Sequence, residues 1–224
     1  MADAHMTVAR MELGTETAEG PLVAAPASAT VFLISPASLS GKRGEMLFNP
    51  EARFDLARRL RSPQGAPLGE VFTFISGLYF RGKMAYAERF GHASCAPASY
   101  VMTSGGGLCT LEAPVTLARL EGWQQVSVSE HNPHFTSPLV RQVCELSDRL
   151  GAGARFVLLG SLASRKYTVP LSEALGSALH FPPRLTGLGD MSRGSLLLRC
   201  VATDDELDYA PLHAPTSKVV RSTP

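Results

Sequence analysis

"ATVFLIS" at residues 29–35 and "ARFVLLGS" at residues 154–161 are the two stretches that decide the fold. Each is a short run of aliphatic, aromatic and β-branched residues with almost no polar positions inside it. Continuous apolar strands of this kind are typical of a parallel sheet that is covered on both faces. The two stretches therefore predict the centre of an α/β sheet.

The rest of the chain supplies further strands and the helices that would cover them. Three more apolar runs are predicted as strands: "EVFTFIS" (70–76), "SYVMTS" (99–104) and "SLLLRCVA" (195–202). Apolar spacing and capping residues predict helices over 49–62, 79–91, 114–123, 137–153 and 169–178. This alternation predicts a three-layer α/β fold, with a mostly parallel sheet and helices on both of its faces.

The last predicted strand should run in the opposite direction. The connection from "LHFPP" (179–183) to "SLLLR" (195–199) has no obvious helix. A parallel crossover usually contains one. We therefore expect the sheet to end in an antiparallel strand.

Composition divides the chain and limits its function. Residues 1–28 and 213–224 are polar and aperiodic, so we expect a disordered arm, a single α/β domain over 29–212 and a flexible tail. The net charge of +1 argues against a protein that coats DNA. Four cysteines without a CxxC pair, and a start without an apolar h-region, favour a reduced cytoplasmic protein without membrane spans.

The residues that follow the predicted strands share one composition. Since ligands bind at the carboxyl ends of parallel strands, these residues should meet. They combine glycines, hydroxyl side chains and cations, which together suit an anion such as phosphate. The predicted ligand-binding residues are Ser35, Lys42, Ser76, Gly77, Arg81, Lys83, Ser104, Gly105, Gly106, Ser161, Arg165 and Lys166. The alternative is that these are ordinary loop residues with solvated cations.

The stretch "GDMSRG" (189–194) and one tyrosine complete the predicted site. If the following strand is antiparallel, this loop lies beside Arg165 and Lys166. Arg193 would then bind the anion, while Asp190 and Tyr79 would be the catalytic residues. The alternative is that Asp190 only caps a structural turn.

Familiar cofactor and metal motifs are missing. The sequence has no GxxxxGK[ST] loop, and "SGGGLC" (104–109) lacks GxGxxG spacing. "EHNPHF" (130–135) offers two histidines and a glutamate, but Pro133 should prevent a helix from aiming both imidazoles at one metal ion. We therefore expect neither a cofactor nor a metal.

Two blocks carry a resemblance to known proteins. "SGLYFRGKMAYAERFG" (76–91) and "GDMSRGSLLLR" (189–199) resemble blocks of a group of uncharacterised bacterial α/β proteins, over most of residues 30–211. The loop after the first strand, the "LYFRGKMAYAE" helix start and "LLGSLASRKY" (158–167) are also similar to the uracil-DNA-glycosylase-like domains of deazaguanine-modifying enzymes. The resemblance implies a small α/β domain.

These observations predict a protein that binds a nucleotide, a nucleoside or another phosphorylated small molecule at the strand ends. Whether it also processes that ligand stays open; a nucleoside- or nucleotide-directed hydrolase or transferase is the favoured class if it does. The alternative is a non-catalytic module that binds nucleic acid or protein. A concave pocket with Asp190 and Tyr79 would favour the first, and a broad basic face the second.

Overall fold

The computed structural model describes residues 29–212 and contains a six-stranded sheet. Its strands are β1 (Thr30–Ile34), β3 (Ser99–Thr103), β4 (Gly107–Cys109), β6 (Arg155–Leu159), β7 (Leu179–Phe181) and β8 (Ala210–Pro211), in the order β4-β3-β1-β6-β7-β8. The four central strands are parallel, and the edge strands β4 and β8 are antiparallel. A separate antiparallel pair joins β2 (Ala66–Pro67) to β5 (Pro114–Val115). The predictions for residues 1–28 and 213–224 lie outside the described residues.

Helices cover both faces of the sheet. They are α1 (Lys42–Phe48), α2 (Asp55–Arg61), α3 (Leu68–Ser76), α4 (Leu78–Phe90), α5 (Leu117–Gln124), α6 (Pro133–Leu150), α7 (Arg165–Leu175) and α8 (Asp190–Thr203). Successive side chains of a strand point to opposite faces. Phe32 and Ile34 of β1 accordingly pack in a core with α1–α5 and α8, whereas Val31 and Leu33 pack in a second core with α6 and α7. The predicted three-layer α/β fold with a mostly parallel sheet is confirmed.

Two of the predicted strands are helices. Residues 70–76 belong to α3 and residues 195–202 to α8, so both strand predictions were wrong. The buried residues of α3 include Leu68, Val71 and Phe72, and those of α8 include Leu197 and Cys200. These spacings of three and four place one apolar stripe against the core, which is the helical pattern.

The sheet does end in an antiparallel strand, but a different segment forms it. Residues 210–211 form β8, which pairs with β7 through His180 and Pro211. The segment that was expected in this place, residues 195–202, lies in a helix. A final pair of residues as short as this one gives no periodic signal in a sequence, so it was not predicted as a strand.

Candidate functional site

The carboxyl ends of β1, β3 and β6 open onto a cleft of about 820 Å³. One serine follows each of these strands and lines the cleft: Ser35, Ser104 and Ser161. The predicted site residues that line the cleft are Ser35, Lys42, Ser76, Tyr79, Lys83, Ser104, Ser161, Lys166, Asp190 and Arg193. The topology therefore brings most of the predicted residues to one edge of the sheet.

Some predicted residues do not line the cleft. Gly105 and Gly106 turn the chain between β3 and β4, where a Cβ on either would lie within about 3 Å of the Trp123 ring. Their role is to let the turn pack against that indole. Gly77 joins α3 to α4 with a φ of +63°, which requires glycine.

Two predicted cations also lie outside it. Arg81 is exposed on α4 and is absent from the residues that line the cleft. Arg165 Nε lies 3.3 Å from a carboxylate oxygen of Glu130, so its charge is already partly compensated. Arg165 is thus not among the residues that line the cleft with Asp190 and Arg193, whereas Lys166 is.

Lys83 is the cation that α4 buries at the cleft wall. Its residue is only 2% exposed, and its amine donates hydrogen bonds to Ser35 O at 2.5 Å and Ser35 Oγ at 3.0 Å. The amine also lies 4.5 Å from the centre of the Tyr79 ring. No carboxylate of residues 29–212 forms an ion pair with it. Burial lowers the pKa of Lys83 to about 7, since the charged form loses its hydration.

Tyr79 contributes a hydroxyl group that is buried at the cleft wall beside Arg193. The residue is 7% exposed and lines the cleft, but its oxygen has no hydrogen-bond partner among the described residues. Burial raises the pKa of Tyr79, and the positive charge of Arg193 opposes that rise. Buried polar atoms are rarely left without a partner, so this hydroxyl is a natural contact for a ligand or a water molecule.

Arg193 and Asp190 face the cleft from the first turn of α8. The Arg193 side chain is 15% exposed, and its Nε donates a hydrogen bond to Leu185 O at 3.0 Å. Its Nη1 lies 3.5 Å from Asp190 Oδ1. The Asp190 side chain is 72% exposed, so it compensates the arginine only partly. Both residues therefore keep the capacity to bind a ligand.

Three helices of eight or more residues begin beside the cleft. Their first turns contribute Tyr79 from α4, Lys166 from α7 and Asp190 from α8. A helix N-terminus presents free N–H groups and a partial positive charge. In α7 the N-cap Ser164 makes no side-chain capping bond, and its hydroxyl oxygen is buried without a partner. The free N–H groups, Lys166 and the unpartnered Ser164 hydroxyl favour a negatively charged group, whereas the Asp190 carboxylate opposes one.

Close contact between α4 and α8 sets the relative position of the two cationic side chains. A Cβ on Gly82 would lie 2.8 Å from Gly194 O, and a Cβ on Gly194 would lie 2.9 Å from backbone atoms of Leu78 and Tyr79. Gly82 directly precedes Lys83 in the sequence, and Gly194 directly follows Arg193. Gly82 and Gly194 therefore serve the packing of these two helices.

Sequence reasoning missed part of the cleft wall. Phe72 and Ile75 line it because 70–76 is helical, and Trp123 lines it from α5. The spacing of Phe72, Ile75 and Ser76 along one helical face was the signal that could have found the first two. Nothing in the local sequence points to Trp123.

The histidine-containing segment has a structural explanation. Asn132 caps α6 by accepting from His134 N, and Pro133 begins this helix instead of breaking it. The His131 side chain is 87% exposed, 3.7 Å from Glu130. Within residues 29–212, no group of three His, Cys, Asp or Glu side chains is arranged to hold a metal ion. None of the helices in that range is long and apolar enough to cross a membrane.

Comparisons with protein-family models, with curated proteins and with solved structures find no match to this chain. The resemblance to uracil-DNA-glycosylase-like domains therefore stays a prediction.

Proposed function

We propose that the cleft binds an anionic small molecule, of which a nucleotide or another phosphorylated metabolite is the best fit. The observation that carries this proposal is Lys83, a buried cation at the cleft wall without a carboxylate partner among residues 29–212. Cations that serve structure alone are normally paired when buried. The missing partner is the ligand.

The surroundings of Lys83 support an anion of phosphate type. Arg193 adds a guanidinium group that suits the paired oxygens of phosphate. Lys166 stands in the first turn of α7, where the helix dipole adds to its charge. Tyr79 and the three strand-end serines provide neutral donors. Such a set matches a group that carries several acceptor oxygens.

A second, smaller cavity suggests the other part of the ligand. It measures about 230 Å³ and adjoins the cleft through Arg193. Its walls are mainly apolar, with Leu158, Leu162, Phe181 and Leu185 among them. A cavity of this size suits a small flat ring. A nucleoside or a similar ring system in the smaller cavity would place an attached phosphate at Arg193, in the cleft.

Asp190 and Tyr79 are the groups that we propose to contact the reacting part of the ligand, if a reaction takes place. Asp190 is an exposed carboxylate beside the anion site and would act as a general base. Tyr79 would act as a proton donor. The alternative of a nucleic-acid or protein-binding module calls for a flat cationic surface, whereas Lys83 and Arg193 both lie in a concave wall.

A thermal-shift screen tests the proposal. The panel holds inorganic phosphate, nucleosides with their 5′-phosphates, sugar phosphates and a short single-stranded DNA. We expect the phosphorylated member of each pair to stabilise the protein, by about 2.7 kcal/mol at 100 times its dissociation constant. Stabilisation by the DNA alone would favour the nucleic-acid-binding module. Equal thermal shifts with nucleosides and nucleotides would contradict the proposed anion site.

A matched pair of variants localises the binding. Arg193→Gln removes a guanidinium from the cleft, and Arg81→Gln removes one from the exposed face of α4. We expect only Arg193→Gln to reduce the shift. Because Arg193 also bonds to Leu185 O, the shift is compared with each variant's own melting temperature without ligand.

A further inference from the structure

The described lysines differ sharply in their surroundings. Lys42 is exposed at the start of α1, Lys166 is half-buried at the start of α7, and Lys83 is buried in the middle of α4. All three line the cleft. Only Lys83 is held in a fixed position, by its two hydrogen bonds to Ser35. An immobilised amine at a cleft wall has the geometry of a nucleophile.

The hydrogen bonds and aromatic rings around Lys83 favour its charged form, but they do not outweigh its burial. Its neighbours are the rings of Tyr79 and Phe80 and the oxygens of Ser35. From α8, Asp190 favours the charged amine and Arg193 disfavours it, so the two partly cancel. Burial is the larger effect and brings the pKa of Lys83 to about 7. A large share of the amine is therefore neutral, and nucleophilic, near neutral pH.

We infer that Lys83 condenses with the carbonyl group of a phosphorylated aldehyde or ketone in the cleft, and so forms a Schiff base. This inference rests on the proposed function, because the anion site would hold the phosphate of that substrate. It goes beyond electrostatic binding, since it assigns the Lys83 amine a covalent role in addition to its attraction for an anion. Arg193 and Lys166 already supply permanent charge at the same cleft.

The condensation balances with groups that line the cleft. The Lys83 nitrogen attacks the carbonyl carbon, and one of its protons moves to the oxygen, which gives a carbinolamine. The hydroxyl then leaves as water with a proton from Tyr79 Oη, and the tyrosine recovers the remaining nitrogen proton. The net change is R–NH₂ + O=C giving R–N=C + H₂O. Tyr79 suits this step because its hydroxyl makes no hydrogen bond to the described residues.

Reductive trapping of the full chain tests the inference. The protein is incubated near pH 7 with pyridoxal 5′-phosphate, reduced with borohydride and mapped by mass spectrometry. The chain has only four lysines, so Lys42, Lys166 and Lys218 are internal controls. We expect Lys83 to carry at least about 10-fold more label than Lys42, since an ordinary lysine amine is almost wholly protonated at that pH. Label on the other lysines with Lys83 unmodified would overturn the inference.

A second probe separates this inference from the proposed function. Pyridoxal has the same aldehyde but no phosphate. Preferred labelling of Lys83 by the phosphorylated probe supports both ideas. Equal labelling of Lys83 by the two probes supports its role as a nucleophile and contradicts the proposed anion site. Stabilisation by phosphate esters, with Lys83 unlabelled by either probe, removes the nucleophile alone. The mapping uses the unaltered protein, so it does not depend on whether a Lys83 variant folds.

Discussion

Two basic side chains of this molecule, Arg59 and Lys83, have opposite surroundings. Arg59 lies on α2 with its side chain 36% exposed, and it meets two carboxylates: its Nε lies 2.7 Å from Asp55 Oδ2, and its Nη1 donates to Glu70 Oε2 at 2.9 Å. Lys83 is buried, donates to the carbonyl and hydroxyl oxygens of Ser35, and forms no ion pair with a carboxylate of residues 29–212. Within residues 29–212, carboxylates thus pair with the cation that water can reach, and none pairs with the cation from which water is excluded.

The pKa shifts of the two groups follow this contrast. The bonds to Glu70 and Asp55 raise the pKa of Arg59, so its charge is secured. Burial lowers the pKa of Lys83 to about 7, so its charge depends on what enters the cleft. A folded chain rarely buries a charge without compensation unless the site has a function. The comparison therefore supports a ligand at Lys83 and a structural role for Arg59.

The largest expected effect is on ligand binding by Lys83→Met. Methionine keeps the length and apolar contacts of the side chain but removes the amine. We expect the affinity for the tightest phosphorylated ligand of the screen to fall about 10- to 150-fold, since a hydrogen bond to a charged group contributes about 1.5–3 kcal/mol. Isothermal titration calorimetry measures it. Lys42→Met, on the exposed part of the same cleft, is the control and should change the affinity by less than about 3-fold. Equal losses in both variants would contradict a special role for Lys83.

A pair of glycine substitutions tests how the Lys83 region is held together. Gly194→Ala places a methyl group 2.9 Å from the backbone of Leu78 and Tyr79. We expect it to destabilise the protein by about 1–3 kcal/mol, because α4 and α8 must move apart. Gly122→Ala in α5 meets no atom within 4 Å and should stabilise by about 0.5–1 kcal/mol through helix propensity. Denaturant unfolding measures both.

Gly194→Ala should also weaken ligand binding, because Arg193 and Lys83 lie on the two helices that it separates. Unchanged affinity in this variant would mean that the spacing of α4 and α8 does not matter to the site. Gly122→Ala shares the change in helix propensity but lies outside this contact, so any loss common to both variants would have another cause.

The pH dependence of stability tests the charge state of Lys83. Its folded pKa lies near 7, below the ordinary value of 10.5. Between these values the unfolded chain binds more protons than the folded chain, so stability rises with pH. We expect the unfolding free energy of the wild type to rise relative to Lys83→Met by up to about 1.4 kcal/mol per pH unit. Below about pH 7 the difference should be constant.

Measurements between about pH 7 and pH 9.5 stay below the pH range in which tyrosine ionisation affects stability. Burial raises the pKa of Tyr86 to about 12, so the folded state retains that proton when the unfolded chain has lost it. Its contribution to stability is lost as the pH rises above about 10, in the opposite direction to the Lys83 effect. If the unfolding free energies of the wild type and Lys83→Met changed in parallel at every pH, the pKa of Lys83 in the folded protein would be ordinary.

Parts of the fold and the site were predictable from the sequence for identifiable reasons. Residues 30–34 and 155–159 form strands because no helical stripe competes with their continuous apolar character. Residues 70–76 and 195–202 were predicted wrongly because a short apolar run fits a strand and a buried helix equally well. The helical spacing of Leu68, Val71 and Phe72, and that of Leu197 and Cys200, would have decided between them.

The site was predictable where residues follow a strand. Ser35 and Ser161 were expected at one edge of the sheet because parallel strands bring their carboxyl ends together, and both line the cleft. Asp190 and Arg193 reach the cleft from the start of a helix, so the reasoning from an antiparallel strand was wrong although both residues line the cleft. The special burial of Lys83 depends on the contact of α4 with Ser35, 48 positions away, and no local pattern reports such a contact.

The smallest effect is expected from Arg59→Gln. The arginine is partly exposed, and its ion pairs with Asp55 and Glu70 contribute little to the free energy of unfolding, because each charged group loses hydration when it gains its partner. We expect the melting temperature to change by less than about 3 °C, and the change to shrink in high salt as screening weakens the pairs. Arg58→Gln, whose only ion pair is a 4.0 Å contact to Asp55 among the described residues, is the matched control. Ligand affinity should stay the same in both variants, since neither arginine lines the cleft. If Arg59→Gln instead weakened binding as much as Lys83→Met, the contrast between a paired structural cation and an unpaired functional one would fail.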